Sequence, residues 1–255
     1  MSKVAFITGS AQGIGAGIAL RLAKDGFDIA IADLPKQAGK AEEIVLGIES
    51  IGRRSFFIPL DVTVQAEVFA AVDKVVAKLG SLDVMVNNAG VAKIDAVVDI
   101  DPEDLELSYK VNVFGVIYGI QAAAKKMKEL GIQGKIISAS STAGRKAFPI
   151  WGTYSSTKAA VRSITQAAAA ELAADGIKVN AYAPGAVGTT GMWEEVNEKM
   201  NRLNGKENIR DFVGKIPLGR RVAPDDVVKL VAFLAGPESD FITGQSLVVD
   251  GGAML

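Results

Sequence analysis

Apolar positions along the chain follow two alternating periods. Short runs rich in β-branched residues, of which 3–8 is the first, alternate with longer segments in which apolar residues recur every three to four positions. In the first longer segment, Ile14, Ile18 and Leu22 fall on one helical face. The short runs predict buried strands, and the longer segments predict the helices that cover them.

Seven strands and six helices follow from this pattern. The strands are predicted at 3–8, 28–33, 55–60, 82–86, 135–139, 178–182 and 246–249, and the helices at 13–25, 36–51, 65–79, 103–130, 153–175 and 224–235. Apolar strands joined by helices are typical of a parallel sheet covered on both faces. The sequence therefore predicts an α/β fold, a Rossmann-type doubly wound sheet of about seven strands.

No linker rich in proline or serine divides the chain, so we expect residues 1–255 to form a single domain. The stretch 184–217 breaks the alternation, since it combines seven glycines and prolines with a charged middle. A long irregular segment in a compact domain is usually a lid or a binding loop. We therefore predict a substrate lid at about 188–215.

Composition narrows the possible chemistry. The 255 residues include no Cys and no His, which excludes disulfides, thiolate nucleophiles, imidazole bases and Cys/His zinc sites. Lys and Arg number 28 against 29 Asp and Glu, so no basic surface for nucleic acid or an anionic membrane is expected. We expect no transmembrane helix, no metal site and a cytoplasmic location, the last because Cys is absent.

A glycine-rich turn follows the first predicted strand. Gly9, Gly13 and Gly15 permit a tight turn and close approach of the backbone, and the next helix offers free N–H groups to a pyrophosphate. An ordinary strand–helix turn is the alternative, but the position after the first strand favours binding. Gln12 and Ile14 lie in the same turn and belong to the predicted site.

Asp33 ends the second predicted strand, 24 residues after Gly9. A dinucleotide fold places there the acid that accepts hydrogen bonds from the adenosine ribose, and its charge repels a 2′-phosphate. No Arg or Lys lies between Gly9 and Gly17, so NAD is predicted over NADP. A helix cap or a solvated strand end is the alternative for Asp33.

Polar residues also follow strands three and four, at the edge where open α/β sheets bind ligands. Asp61 and Val62 end strand three, and Asn87, Asn88 and Gly90 end strand four. Asp61 either accepts from an adenine amino group or caps the next helix, and both roles stay open. The two Asn residues are ligand contacts or turn residues.

With imidazole and thiol excluded, Tyr and Lys are the candidates for proton transfer. Tyr154 and Lys158 lie four residues apart in a predicted helix and therefore share a face. We expect the Lys158 ammonium to lower the pKa of Tyr154 below its usual value of about 10. A phenol shifted in this way suits acid–base work, and an ordinary surface Tyr–Lys pair is the alternative.

Hydroxyl and amide groups accompany this pair. The serine-rich segment 138–142 follows strand five, where a hydroxyl would hold a substrate carbonyl oxygen or shape a turn. Asn112 interrupts an apolar helical stretch, and a buried Asn needs partners. It would hold a water that relays protons to Lys158, or it would be a satisfied core amide.

In this order and at these spacings, the motifs resemble the classical short-chain dehydrogenase/reductases. The resemblance covers the whole chain and rests on Thr8-Gly9-x3-Gly13-x-Gly15, Asp33, Asp61, Asn87-Asn88-Ala89-Gly90, Asn112, Ser141, Tyr154-x3-Lys158, Pro184-Gly185 and Val249-Asp250-Gly251-Gly252.

The resemblance implies an NAD-dependent enzyme and a role for each catalytic residue. Ser141 is implied as the catalytic serine, Tyr154 as the acid and base, Lys158 as a contact of the nicotinamide ribose and Asn112 as part of a proton relay. A homotetramer built on the two long helices and the C-terminal strand is also implied. The implied contacts of the nicotinamide are Pro184, Gly185, Val187 and Thr189.

Within the family, Asn180–Thr189 and the following Gly191-Met192-Trp193 are similar to the acetoin (diacetyl) reductases and 2,3-butanediol dehydrogenases. Thr190 is an additional residue in that pattern, and Lys146 is an unexpected polar residue near the substrate side. The resemblance implies interconversion of a small secondary alcohol and a ketone.

Phe148 and Trp193 are expected to form an apolar substrate pocket beside Ser141 and Tyr154. Other substrates of the same chemistry stay open, namely a polyol, a hydroxy acid or a bulkier prochiral ketone. A non-catalytic NAD-binding sensor and a structural protein on the same scaffold also stay open.

Overall fold

The computed structural model describes residues 2–188, 196, 199–200 and 216–255. The strands are β1 (Val4–Thr8), β2 (Asp28–Asp33), β3 (Ser55–Pro59), β4 (Val84–Asn87), β5 (Lys135–Ala139), β6 (Lys178–Pro184) and β7 (Ser246–Val249). The α-helices are α1 (Gly13–Lys24), α2 (Ala38–Glu49), α3 (Gln65–Leu79), α4 (Pro102–Tyr109), α5 (Gly115–Leu130), α6 (Gly152–Leu172) and α7 (Pro224–Ala235). All strand pairs are parallel, and their order is β3-β2-β1-β4-β5-β6-β7.

The core lies on both faces of this sheet. Successive side chains of a strand point to opposite faces of the sheet. In β1, Phe6 packs against the helices on one face, α3, α5 and α6. Ile7 packs against the helices on the other face, α1, α2 and α7. Both side chains are completely buried. The predicted doubly wound α/β fold is therefore confirmed.

The strand order creates a crevice at the carboxyl ends of β1 and β4. The chain builds outward from β1 to β3 and then returns to the other side of β1, where Ile7 is the parallel partner of Val86. Loops leaving β1 and β4 run to opposite faces at this switch point, so they leave a groove between them. The glycine-rich turn and residues Asn88–Gly90 border that groove.

One predicted helix, 103–130, is interrupted in the structure. Residues Lys110–Phe114 form a π-helical turn between α4 and α5. Asn112 lies in the middle of this turn, is fully buried, and exchanges two hydrogen bonds with the backbone of Val91. The wider turn carries an extra residue and brings the amide to Val91, and turns of this kind are frequent at functional sites.

Across the described part of the chain, no helix has both the length and the apolar character needed to cross a bilayer. The described residues also include no cluster of three His, Cys, Asp or Glu side chains suited to a metal ion. The single domain expected over 1–255 stays a prediction, and most of the predicted lid at 188–215 lies outside the described residues.

Gly119 generates a prediction about how α5 packs on the sheet. A Cβ at this position would lie 1.8 Å from Asn87 Oδ1 and 3.1 Å from Met85 Cε. Gly119→Ala should therefore lower the free energy of unfolding by about 1–3 kcal/mol, as overpacking of a core does. The measurement is urea denaturation. Gly39→Ala is the matched control, because a Cβ there meets nothing within 4 Å, and equal losses in both variants would contradict the packing argument.

Candidate active site

A cleft of about 1530 Å³ opens at the carboxyl ends of the central strands. It runs from the glycine-rich turn after β1 to the beginning of α6. The predicted cofactor contacts that line it are Gly9, Gln12, Gly13, Ile14, Gly15, Asp33, Asp61, Val62, Asn88, Gly90, Tyr154, Lys158, Pro184, Gly185 and Val187. Thr189 lies outside the described residues.

The glycine-rich turn is packed too tightly for side chains. Gly9 has a φ of 62°, and a Cβ on it would lie 2.7 Å from the Cα of Ala89. A Cβ on Gly15 would lie 2.2 Å from the carbonyl oxygen of Gly9. The first turn of α1 carries no acidic residue that would compete for its N–H groups. This geometry suits an anion such as a diphosphate.

Asn88 holds the loop after β4 against this turn. Its Nδ2 donates to the carbonyl oxygens of Thr8 at 3.0 Å and Gly9 at 2.8 Å, and its Oδ1 accepts from the Tyr182 hydroxyl at 2.8 Å. The amide is therefore occupied inside the protein. The structure shows that the Asn88 side chain shapes the turn, and a contact of this residue with a ligand stays a prediction.

Asp33 is half-buried at the end of β2, where it also orders the glycine-rich turn. Its Oδ2 accepts from the Ala11 N–H at 3.0 Å, and its Oδ1 accepts from the Leu34 N–H at 2.9 Å. Each carboxylate oxygen has a further lone pair, and the residue lines the cleft. The position is compatible with a ribose contact in addition to the structural one.

Asp61 shows a turn-forming role close to the capping role that the sequence left open. Its Oδ1 accepts from the Thr63 N–H at 2.9 Å, whereas the N-cap of α3 is Val64. Asp61 therefore orders the approach to α3 without being its capping residue. It lines the cleft together with Val62, so the adenine contact stays a prediction.

Tyr154 and Lys158 lie one turn apart at the beginning of α6, as their spacing predicts. The ammonium of Lys158 is 5.6 Å from the centre of the Tyr154 ring and donates to the carbonyl oxygen of Ala139 at 2.9 Å. Ala139 is the last residue of β5, so the cation is fixed at the carboxyl end of the sheet. Its side chain is only 4% exposed.

Ser141 is the hydroxyl of segment 138–142 that reaches Tyr154, to which it is hydrogen-bonded. It also accepts from the Ala143 N–H at 3.1 Å and lies 3.4 Å from the Pro184 carbonyl oxygen. The other serine hydroxyls point elsewhere, since Ser138 pairs with Asn87 and Ser140 donates to the Lys158 carbonyl oxygen.

The predicted direction of the Tyr154 pKa shift is wrong for the protein without ligands. Tyr154 is half-buried, and the desolvation of its phenol raises its pKa to about 12. The hydrogen bond with Ser141 only partly opposes this rise. Burial also lowers the pKa of Lys158 to about 8. Desolvation is the largest cause of both shifts, and it outweighs the attraction between the two groups.

Asn112 lies behind this pair as a satisfied amide. Its Nδ2 donates to the Val91 carbonyl oxygen at 2.8 Å and to Thr157 Oγ1 at 3.1 Å, and its Oδ1 accepts from the Val91 N–H at 2.9 Å. The second lone pair of Oδ1 faces the side of Gly90, where an added Cβ would lie 3.2 Å from Oδ1 and 3.5 Å from Lys158 Nζ. The two groups thus share one small space, and the relay through it stays a prediction.

The substrate side of the cleft is mostly apolar. Phe148 lines it as predicted, whereas Trp193 lies outside the described residues. Trp151 also lines this side and packs edge-on against Tyr154, with ring centres 5.6 Å apart. The buried Val196 also lines the cleft.

Comparison with known proteins agrees with this geometry. The family profile described as enoyl-(acyl carrier protein) reductase matches residues 9–254. L-2,3-butanediol dehydrogenase of Corynebacterium glutamicum is 52% identical over 257 residues, which cover 100% of this chain and 99% of the other. A diacetyl reductase ((S)-acetoin forming) of Staphylococcus epidermidis is 46% identical, covering 99% and 98%. A short-chain dehydrogenase/reductase of Armillaria gallica is 40% identical, covering 98% and 95%.

The chain belongs to the short-chain dehydrogenase/reductase family, and it is an oxidoreductase. Solved structures agree over almost the whole length. NAD⁺-bound xylitol dehydrogenase superposes with a TM-score of 0.93 at 31% identity, covering 98% of each chain. Acetoin dehydrogenase of Salmonella typhimurium gives a TM-score of 0.87 at 34% identity, covering 100% of this chain and 96% of that one.

The cleft residues of this short-chain dehydrogenase/reductase that are absent from the site predicted from the sequence include Trp151, Lys36 and Tyr182. Trp151 was identifiable as an aromatic residue three positions before Tyr154. Lys36 lies just after Asp33, beyond the stretch 9–17 whose lack of basic residues favoured NAD. Tyr182 is fully buried in β6 and has the pattern of an ordinary strand residue, although its hydroxyl orients Asn88.

The buried Lys158 generates a prediction about pH. Between pH 8 and 10.5 the unfolded chain binds a proton that the folded site does not, so Lys158 makes unfolding free energy increase with pH in this window. Across this pH window, the free energy of unfolding of the wild type should increase by about 3 kcal/mol relative to that of Lys158→Met. Urea denaturation of both proteins at several pH values measures this difference. A difference that stays constant from pH 8 to 10.5 would contradict the lowered pKa.

Proposed function

We propose that this short-chain dehydrogenase/reductase is an NAD(H)-dependent enzyme that interconverts diacetyl, acetoin or 2,3-butanediol, small ketones and secondary alcohols. The observation that carries the proposal is the placement of Ser141, Tyr154 and Lys158 together at the end of β5 and the start of α6, in the cleft that begins at the glycine-rich turn. Site and turn share one cleft, so a bound dinucleotide and a substrate would meet there.

Ser141 and Tyr154 would act on the substrate oxygen. When bound, the nicotinamide supplies the hydride of the reduction. In that direction the Tyr154 phenol donates its proton to the carbonyl oxygen, and the Ser141 hydroxyl stabilises the negative charge that develops on it. A pKa of about 12 keeps the phenol protonated at neutral pH and ready to donate.

Lys158 and Asn112 would take part in returning a proton to Tyr154 after each reduction. Lys158 has a pKa of about 8, so it can gain or lose a proton close to neutrality. It shares the space beside Gly90 with the Asn112 oxygen. We propose that a proton returns to Tyr154 through this space. Because the chain has no histidine, activity changes near pH 8 would report Lys158 or the coupled pair.

The residues around the adenosine end fit NAD. Asp33 presents a carboxylate at the end of β2, where it would accept from ribose hydroxyls and repel a 2′-phosphate. Lys36 lines the same edge and weakens that repulsion, while Lys40 is engaged with Gln12 Oε1 at 2.7 Å. The NAD⁺-bound xylitol dehydrogenase structure supports the same choice.

The names of two relatives support the proposed substrates, since they are a butanediol dehydrogenase and a diacetyl reductase that match over nearly the full chain. Apolar walls at Phe148, Trp151 and Val196 suit the methyl groups of such compounds. The xylitol dehydrogenase structure supports a polyol as the second candidate substrate. A bulkier prochiral ketone as substrate and a non-catalytic role in sensing NAD have no such support.

We also propose a homotetramer and a cytoplasmic location. Exposed apolar side chains on and beside α4 support the first, among them Leu105, Leu107 and Phe114, which are 39 to 43% exposed. The absence of Cys supports the second. Sedimentation velocity tests the oligomeric state.

Tyr154→Phe should remove the proton donor and leave cofactor binding nearly unchanged. We expect kcat for diacetyl or acetoin reduction to fall by about 10²- to 10⁴-fold, with the Kd for NADH within twofold of the wild type. NADH oxidation and fluorescence titration measure the two quantities. The substrate panel contains diketones, hydroxyketones and polyols, and a wild type that prefers polyols would favour the second candidate. Retained turnover in the variant would refute the role of Tyr154.

Asp33→Asn should change the choice of cofactor. The variant keeps one acceptor oxygen for the backbone but loses the charge, so NAD binding should weaken by about 10-fold while NADP binding weakens less or improves. The ratio of kcat/KM values for the two cofactors measures this. Lys40→Gln, at a lysine engaged with Gln12, is the control. Equal losses with both cofactors would contradict the ribose contact.

A further inference from the structure

Asp95 connects two walls of the substrate side, although it lies outside the predicted site. It is in the loop between β4 and α4, and its backbone N–H donates to the Ile150 carbonyl oxygen at 2.8 Å. A parallel bridge pairs it with Trp151. Its carboxylate accepts a hydrogen bond from Lys199 Nζ at 2.8 Å, and this ion pair is half-buried.

The first wall is a turn with an unusual backbone. Ile150 has a φ of 62°, which within the described residues is the only positive φ outside glycine. A β-branched residue avoids this conformation, which persists where the surroundings fix it. Here the Asp95 N–H holds the Ile150 carbonyl, and the next residue, Trp151, packs edge-on against Tyr154.

The second wall includes Val196 and Met200. Both have helical backbone, lie four residues apart and line the cleft. Lys199 lies between them along the chain and points to Asp95. The carboxylate therefore connects this wall to the turn at Ile150, and residues of both walls line the cleft that contains Tyr154.

We infer that Asp95 is a positioning residue that sets the affinity for substrate by fixing the position of these two walls relative to each other. The inference rests on the proposed function. Asp95 touches neither the reacting atoms nor the cofactor end of the cleft, so its effect should fall on KM for the ketone. It should not fall on the proton transfer by Tyr154 or on the binding of NADH.

Asp95→Asn tests this, because it removes the charge but keeps the backbone contacts with Ile150 and Trp151. We expect KM for acetoin to rise about two- to fivefold, the scale of a partly exposed ion pair, with kcat and the Kd for NADH within twofold of the wild type. Lys199→Gln should give the same rise, and the double variant should show no further rise. Asp95→Glu, which keeps the charge, should recover at least part of the affinity.

The dependence of KM on ionic strength distinguishes an electrostatic effect of the ion pair from a packing effect. Raising ionic strength to about 1 M should increase KM of the wild type toward that of Asp95→Asn and leave the variant unchanged. Asp225→Asn, which breaks the exposed pair with Lys229 in α7, is the control and should leave KM unchanged.

Three results would overturn the inference. One is an unchanged KM in Asp95→Asn while the wild type turns over acetoin. Another is a set of additive rises in the double variant, which would show that Asp95 and Lys199 act independently. The third is an equal loss of NADH binding, which would indicate general damage. A wild type inactive on the whole substrate panel would instead refute the proposed function, and the inference would fall with it.

Discussion

The site depends on the burial of one ammonium group at the carboxyl end of β5. Lys158 is nearly inaccessible, and its charge is held by the Ala139 carbonyl. Its own carbonyl accepts from Ser140, and a Cβ on Gly144 would lie 2.6 Å from that carbonyl group. Helix α6 is therefore docked on the loop after β5 at close range. This docking fixes the distance between the hydroxyl that follows the strand and the phenol that begins the helix.

Burial also decides the protonation of the site. A cation and a phenol that are both removed from water lose solvation, and here this loss exceeds their mutual attraction. The free protein therefore holds a neutral phenol and an amine that titrates close to neutrality. Such a pair is prepared to donate a proton to a carbonyl oxygen. Oxidation of an alcohol needs the opposite state, so ligand binding would have to favour the phenolate.

Much of this architecture follows from the sequence. Buried strands have a simple apolar pattern, and β2, β5 and β7 have the predicted limits. The π-helical turn at Asn112 was not predictable, because one extra residue hardly alters a helical period. The hydrogen-bond partners of Asn88 depend on contacts between residues that are distant in sequence. Lys36 lines the cleft but belongs to a segment that contains no recognisable motif. The sign of the Tyr154 pKa shift depends on the burial of the phenol, which a four-residue spacing does not reveal.

The ionisation of Tyr154 in the free protein tests this account most directly. Ultraviolet difference absorption of the wild type against Tyr154→Phe, titrated from pH 6 to 12, isolates the phenolate of this residue. The account predicts that its signal is absent at neutral pH and approaches its midpoint only at about pH 12. A midpoint below 10 would contradict it, because the charge of Lys158 would then outweigh burial.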